Sequence, residues 1–570
     1  MPRIRVQEFR GARTAVSPHN IGTSNALVSH NTQLRDTSLR PYNSAVLFAT
    51  VPHEPLAMHL PSDMDNKRST LLTHDHPVSY TDAPDPMPGS GWRHTILWHH
   101  NGQEPERFNA GTGEVSPLVI PAPQRSVIAR PLATAIGIAD TPDTRSYTYT
   151  WVDKFGVESV PAPPTNLGTV YDGQAFELSG FELAPARVVA IRLYRSASVL
   201  SDGSEARIKF NGSFQLVAEL PAATTSYDDR ALLKDIAFGT MLTTDNGTVP
   251  SGLEQVLLTE DGYYVGFAKN TIYVSERHEP WNWPYKYQTE LPDRIVGIVG
   301  FNFTISGFGE LRHRTMVFVA TTGTPYRLTV APATTNGVTE ATVSPARFTE
   351  HWPCLSRFTL VATDFGAAYV THVGIVLLTT TGEIHLVSKG RLDEDYWTDH
   401  MPNLAAWHNR RYYATRVPTG RGMVLEFTGA KQQPDIEGYA TIDLPAQALH
   451  AAHDGRLYYA DGADVRVWNE ATEPLTYRWR SKVFDFLGRV KMGAASILAD
   501  FGGPVRFTLY AGTSVVYSRL VSSTAPFRLP PTAGSLQWQF ELSGSTRVHE
   551  VRIASDIHQL VAEEHGGKPP

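Results

Sequence analysis

Residues 255–275 read QVLLTEDGYYVGFAKNTIYVS: a short apolar run, an Asp261-Gly262 turn and then a second, aromatic run. Runs of this length bounded by turn residues are strands, and glycine after aspartate makes positive φ accessible in the tight turn between them. The same strand, turn, strand unit returns in residues 295–330, in 357–387 and in 448–468, the last reading ALHAAHDGRLYYADGADVRVW. Further Gly turns stand at Thr322-Gly323, Thr381-Gly382, Asp454-Gly455 and Asp461-Gly462. A degenerate recurrence at roughly 40–50 residues is the spacing of propeller blades. It predicts a β-propeller over residues 239–480, carrying no WD or kelch signature.

Outside this region the pattern stays β. Residues 187–195, RVVAIRLYR, alternate with Ile191 and Leu193 on one face and Arg192 and Tyr194 on the other, which predicts a half-buried strand. Together with residues 146–153 (SYTYTWVD), the turn at Lys154-Phe155-Gly156, residues 214–220 (FQLVAEL) and residues 224–229, it has the rhythm of a fibronectin- or immunoglobulin-like sandwich over 131–238. The competing reading is more sheet of a larger domain. Residues 505–511, 536–542 and 547–555 predict a C-terminal β-rich domain over 481–562, followed by a loose polar tail at 563–570. Upstream, residues 43–130 are read as the first propeller strands, so that the sandwich is an insertion, and 1–42 as an N-terminal arm. Helical periodicity is weak, with single turns expected at 184–187 and 232–236. The fold class is all-β.

Composition narrows the function. The 570 residues suit several domains; 41% are hydrophobic and only 19% charged, with 44 Gly and 40 Pro to supply turns. A net charge of −7 lacks the basic footprint of nucleic-acid readers. The opening MPRIRVQEFR has no apolar core of a signal peptide, and no run is long enough for a membrane-spanning helix. Cys354, the single cysteine, rules out an intrachain disulfide and is read as a buried small hydrophobe rather than a nucleophile.

Several ordered segments resemble one family, the nozzle (tail hub) proteins that close the tails of short-tailed bacteriophages. They are residues 11–41, residues 63–88 with Asp75 and Tyr80-Thr81-Asp82, and Tyr147 to Val152 with Phe155-Gly156 and Glu158-Ser159. The most specific is Asn270 to Glu276 followed by Glu279-Pro280-Trp281-Asn282-Trp283-Pro284. Cys354 to Arg357, Gly374 to Val376, Tyr396-Trp397, Arg410 to Ala414 and Tyr477 to Phe484 (YRWRSKVF) complete the order. The resemblance implies a virion structural protein, assembled in the host cytoplasm and placed at the tail tip. It would form a six-fold homo-oligomeric ring bound to a tail adaptor (portal-adaptor) ring, with fibres or spikes at its side and the host cell surface beyond. Double-stranded DNA would be retained before infection and pass without sequence-specific grip at ejection. The net charge favours a lumen that lets the duplex slide, with loops such as Thr334 to Val338 or Ser522 to Ala525 as gates. The alternative is a tail protein that binds, or cleaves, a receptor glycan.

No catalytic, cofactor or metal site, hence no enzyme and no cofactor, is expected, because each chemistry-bearing cluster has a plainer structural role. His74 and His76 project to one side of a strand and His99-His100 follow, but a third ligand at a telling spacing is missing, which favours surface or interface histidines. Asp393-Glu394-Asp395 reads as a solvated loop rather than a glycosidase pair, because adjacent acids do not face each other across a cleft. Gly307-Phe308-Gly309 lacks the strand-to-helix setting of a nucleotide loop. Trp281, Trp283, Tyr285 and Tyr287 fit either a sugar platform or packing anchors, and packing is favoured.

Overall fold

The computed structural model describes residues 3–33, 37–61, 70–84, 93–133, 142–171, 173–199, 214–236, 239–243, 247–307, 310–335, 338–380, 382–417, 419–430 and 433–561. The tail at 563–570, residues 63–69 and 85–88 of the family-like stretch, and Phe308-Gly309 fall outside them. Strands are the dominant regular structure of the described chain, helix is sparse, and its sheets are antiparallel apart from one parallel pairing.

Residues 255–275 form three strands, Gln255–Leu258, Tyr264–Ala268 and Thr271–Val274, and Thr289–Glu290 adds a fourth. The turn between the first two needs glycine twice over. Gly262 has φ 89°, and a Cβ there would meet the His278 ring at 2.2 Å. Gly323 is required for a different reason, since its Cβ would stand 2.4 Å from the Asp293 carboxylate.

Four-stranded sheets follow over 295–347 and 361–386, the four strands over 404–443 form one end of a ten-stranded sheet, and a further four-stranded sheet begins at Ala448–Ala451. The last of these takes its outer strand from far upstream: Val46–Thr50 pairs with Asp464–Val467. Residues 78–117 form a further four-stranded sheet, and Ala57–His59 with Leu72–His74 a two-stranded one. The first strands of these sheets lie side by side in a circuit. Val78–Pro84 is beside Gln255–Leu258, which leads to Ile295–Gly307, Val361–Thr363, Leu404–His408 and Ala448–Ala451 in turn. Ala57–His59 then links Ala448–Ala451 back to Val78–Pro84. This is the arrangement of propeller blades around an axis. The sheets are buried on both faces, as in Gly374–Thr379, whose six residues are all buried, so continuous apolar runs replace clean alternation.

The chain leaves this circuit between Val115–Pro117 and Gln255–Leu258 to build the sandwich. Ile128–Pro131, Phe176–Ser179 and Ser226–Asp229 form one sheet; Thr165–Tyr171, Pro142–Asp153, Val188–Val199 and Phe214–Pro221 form the other. Tyr147, Tyr149, Ile191, Leu193 and Leu178 meet between them. The half-buried expectation for residues 187–195 holds for Ile191 and Leu193, but Tyr194 on the opposite face is also buried, at 1% exposure. Its hydroxyl donates to Glu158 at 2.6 Å, and Arg192 bonds the same carboxylate at 2.7 Å, so a polar network covers that face.

A second sandwich is made from both ends of the chain. Tyr477–Ser481, Ser535–Gly544, Val505–Ala511 and Ser514–Val521 lie in one sheet; Arg3–Val6, Val548–Ala554, Ala494–Ala499 and Phe527–Arg528 form the facing one. Trp479, Trp538, Phe507, Phe540, Val551 and Ile553 fill the space between, each large apolar side chain contributing about 1.5–3 kcal/mol when fully buried. The expected boundaries shift accordingly. Residues 1–42 are not a separate arm, because Arg3–Val6 pairs with Val548–Ala554 and Ala26–His30 sits between Tyr477–Ser481 and the 404–443 sheet. The break expected at 480 falls inside the strand Tyr477–Ser481, which belongs to the C-terminal sandwich. The run Asp393-Glu394-Asp395 leads into a helix, Glu394–His400, instead of a loop, with Glu394 and Asp395 in the first turn, where the helix dipole favours acids.

Candidate functional site

The histidines singled out by spacing come together where the circuit closes. Val78–Pro84 pairs with Arg93–His99 so that Val78 faces His99, and His74 and His76 flank the turn before that hairpin. His76 Nε2 and His99 Nδ1 stand 3.0 Å apart, and the His74 ring is 5.5 Å from His76 and 5.8 Å from His99. His74 Nδ1 shares a proton with the Tyr80 hydroxyl at 2.7 Å, His76 bonds Asp75 at 2.8 Å and His99 bonds Glu106 at 3.3 Å. A nitrogen pair 3.0 Å apart needs one proton between them, so one of the two rings must present a lone pair. Burial, reinforced by the neighbouring imidazoles, lowers the His74 pKa to about 4. Burial with Arg357 beside it lowers His100 to about 3.

The seam extends to the next blade. His59 bonds Asp82 at 2.8 Å and stacks on Tyr80, while the Leu60 N–H donates to His450 Nε2 at 3.0 Å. A ring accepting a backbone N–H at that nitrogen is unprotonated there, and burial holds its pKa down at about 3. His450 was not legible from local spacing, and neither was the pairing that sets His99 against His76, because both depend on strand pairing and ring closure. Among the described residues no group of three donors has metal-holding geometry. The cluster is a hydrogen-bonded, proton-sensitive seam.

The aromatic segment is packed rather than displayed. Trp281, at 8% exposure, enters the core of the inserted sandwich, whereas Trp283, two residues on, packs edge-to-face with Trp98 in the core of the 78–117 sheet at 5.9 Å. Between them Asn282 is fully buried, its Nδ2 donating to Thr243 O at 2.9 Å and to Glu279 at 2.7 Å. Tyr287 joins the neighbouring blade core, and Tyr285 alone of the four faces solvent. The segment therefore pins the insert to two blades. Glu279, which the sequence offered only as part of the family-like segment, sits inside this joint, where burial raises its carboxyl pKa.

Cys354 is buried and its thiol is pushed up to about 12 by desolvation, the state of a packed, inert side chain. Of the gate candidates, Thr334 and Thr335 end the strand Tyr326–Thr335 and Val338 opens the next, with Asn336 and Gly337 outside the described residues; Ser522 to Ala525 is an exposed link between Ser514–Val521 and Phe527–Arg528. Gly307 ends a strand that turns back into Glu310–Thr321, a hairpin setting rather than strand-to-helix.

One open cavity, of about 600 Å³, was not foreseen. It lies where three neighbouring first strands begin: Glu254 precedes Gln255–Leu258, Arg294 precedes Ile295–Gly307, and Ser356, Arg357 and Phe358 precede Val361–Thr363. Arg357 contacts Glu254 at 3.3 Å, and Arg294 approaches the same carboxylate at 3.8 Å. Desolvation and the nearby Arg294 lower the Arg357 pKa despite that carboxylate. Single basic residues just before separate strands carry no pattern in sequence; ring closure brings them together.

No family model matches the chain, and no curated protein matches it. Among solved structures it is similar to an oxidoreductase described as a glucose dehydrogenase from Thermus thermophilus, at 11% identity over 73% of this chain and 99% of that one, with a TM-score of 0.22. A gluconolactonase from Xanthomonas campestris is 10% identical over 76% and 99%, with a TM-score of 0.19. An exo-beta-1,3-galactanase from Phanerochaete chrysosporium is 10% identical over 71% and 98%, at 0.16. Likeness this low carries no argument about activity.

Proposed function

We propose that this chain is a structural protein of a virus particle, the subunit of a ring that forms the distal nozzle of a short-tailed phage tail. In that role it retains the packaged genome and lets DNA pass during ejection. The observation that supports the reading is where the nozzle-like segments fall. Asn270 to Pro284, the most specific of them, is the joint between insert and blades, and Tyr477 to Phe484 contains the strand Tyr477–Ser481 that joins the propeller side to the terminal sandwich. Residues 11–41 supply Ala26–His30, the strand between those two bodies. The resemblance thus lies in the residues that set the relative placement of the parts, as a rigid ring subunit needs. A glycan-cleaving role would call for a carboxylate pair opposed across a cleft, whereas the acidic run Asp393-Glu394-Asp395 opens a helix.

The experiment is electron microscopy of the full chain mixed with the tail adaptor ring of the same particle. A six-fold ring capping the adaptor is expected, assembled through heterologous contacts. A stable two-fold dimer in the assembled tail, or absence of the chain from purified virions, overturns the assignment. In the ring, duplex binding at low salt is expected to be weak. Tight binding that collapses as salt rises would instead mean a basic lumen and would remove the sliding idea alone.

A further inference from the structure

The cavity at the start of three inner strands has the composition of a binding site. Its two guanidiniums come from different blades, Arg294 at 67% and Arg357 at 20% side-chain exposure, and they face a single carboxylate, Glu254. The lining therefore holds one positive charge in excess, on a chain whose net charge is −7. Glu254 steadies both guanidiniums without occupying either: Arg357 uses Nη1, and Arg294 stays 3.8 Å away. Planar guanidinium edges left open in this way match a carboxylate, which accepts two parallel N–H bonds. Beside them Phe358 is 42% exposed, with the Arg357 guanidinium lying over its ring 4.9 Å from the centre. The part of the ring that stays exposed offers a surface for the apolar C–H face of a pyranose, which a free inorganic anion could not use. The volume, about 600 Å³, lies within the range of small-ligand clefts, roughly 300–1,000 Å³.

We propose that this cavity binds an acidic sugar of the hexuronate type, its carboxylate on Arg294 and Arg357, its ring against Phe358 and its hydroxyls within reach of Glu254. This goes beyond the conduit reading and does not depend on it, because the site is complete within one chain. Such a sugar is available either free or at the end of a surface polysaccharide.

The test is ligand-observed saturation-transfer NMR on the full chain. The probes are glucuronate and galacturonate, an oligomer ending in the same uronate, neutral glucose, acetate and inorganic phosphate. At least one uronate is expected to bind saturably and at least tenfold more tightly than glucose, acetate or phosphate. Tighter binding of the oligomer than of its monomer would assign the site to polysaccharide ends, and equal binding to the free sugar. R294A and F358A, both at exposed positions that folding tolerates, should each weaken it at least tenfold. R421A, in a separate cavity on another blade, should leave it unchanged. Glucose binding as well as the uronates, acetate or phosphate matching them, no uronate binding at millimolar concentration, or unaltered binding by R294A would each overturn the proposal. Ring assembly in the microscope tests the conduit reading separately, and neither result bears on the other.

Discussion

Asp229 is fully buried in the inserted sandwich, where Arg195, equally buried, bonds it at 2.7 Å and the Tyr147 hydroxyl donates at 2.6 Å. Two further nitrogens of Arg195, Nε and Nη2, are buried without a partner among the described residues. Removing the carboxylate strands a guanidinium in low dielectric, so Asp229→Ala is expected to destabilise by about 3–5 kcal/mol, the cost of breaking a buried pair. Denaturant unfolding monitored by sandwich tyrosine fluorescence measures it. Asp228→Ala, next door in an exposed pair with Arg230, should leave the midpoint unmoved. A second residue-scale expectation concerns the seam. His74 and His450 have folded pKa values of about 4 and about 3, below the usual 6.5. The unfolded chain therefore binds protons first as pH falls. Their contribution to stability is complete above about pH 6.5 and is lost progressively from there, toward about pH 4 for His74 and about pH 3 for His450. Thermal midpoints across that window should fall with acid, and His450→Gln, which keeps an acceptor for the Leu60 N–H, should reduce the slope. A midpoint flat across the whole window would contradict it.

At the scale of elements, the joint at residues 279–287 separates two tryptophans by destination. Trp281→Ala should cost about 3–5 kcal/mol of packing and loosen the insert from the blades. Limited proteolysis should then release residues 128–229 as a fragment. Tyr285→Ala, at 72% exposure, should not. This joint also marks what sequence could convey. Strand, turn, strand units were legible wherever partners are neighbours in the chain, as at 255–275 and 448–468. So were the insert and the buried state of Cys354, because apolar periodicity and composition suffice for both. Pairings that skip hundreds of residues were not legible, and Val46–Thr50 against Asp464–Val467 is the plainest case. The helix Glu394–His400 was missed although its signal was present: three acids at its start, followed by Tyr396 and Trp397. The cavity lined by Arg294 and Arg357 was out of reach, since its residues are 63 positions apart and gain meaning only when two blades stand side by side.

For the whole molecule, the decisive element is the strand Arg3–Val6. It forms the outer edge of its sheet against Val548–Ala554, with Ile4 and Val6 buried in the terminal core and Arg5 paired with Glu550. Truncation of residues 1–10 would remove that strand together with Phe9, which packs edge-to-face on Trp479 at 5.0 Å. The expected outcome is loss of near-ultraviolet signal from Trp479 and Trp538, and early cleavage within 484–554 by trypsin. The sandwich over 128–229 should keep its own unfolding transition. An unchanged tryptophan spectrum after truncation would mean that the strand is dispensable.

Arg5 and Glu550 stand 545 positions apart in the chain, which sets a timetable for folding on the ribosome. At about 5–20 residues per second, strand Arg3–Val6 emerges roughly half a minute to two minutes before its partner exists. Until then its apolar face has nothing to cover it, and the blades and the insert must fold while it waits. A synonymous recoding that slows translation near residue 500 prolongs that wait. It should raise the aggregated fraction without altering a single side chain.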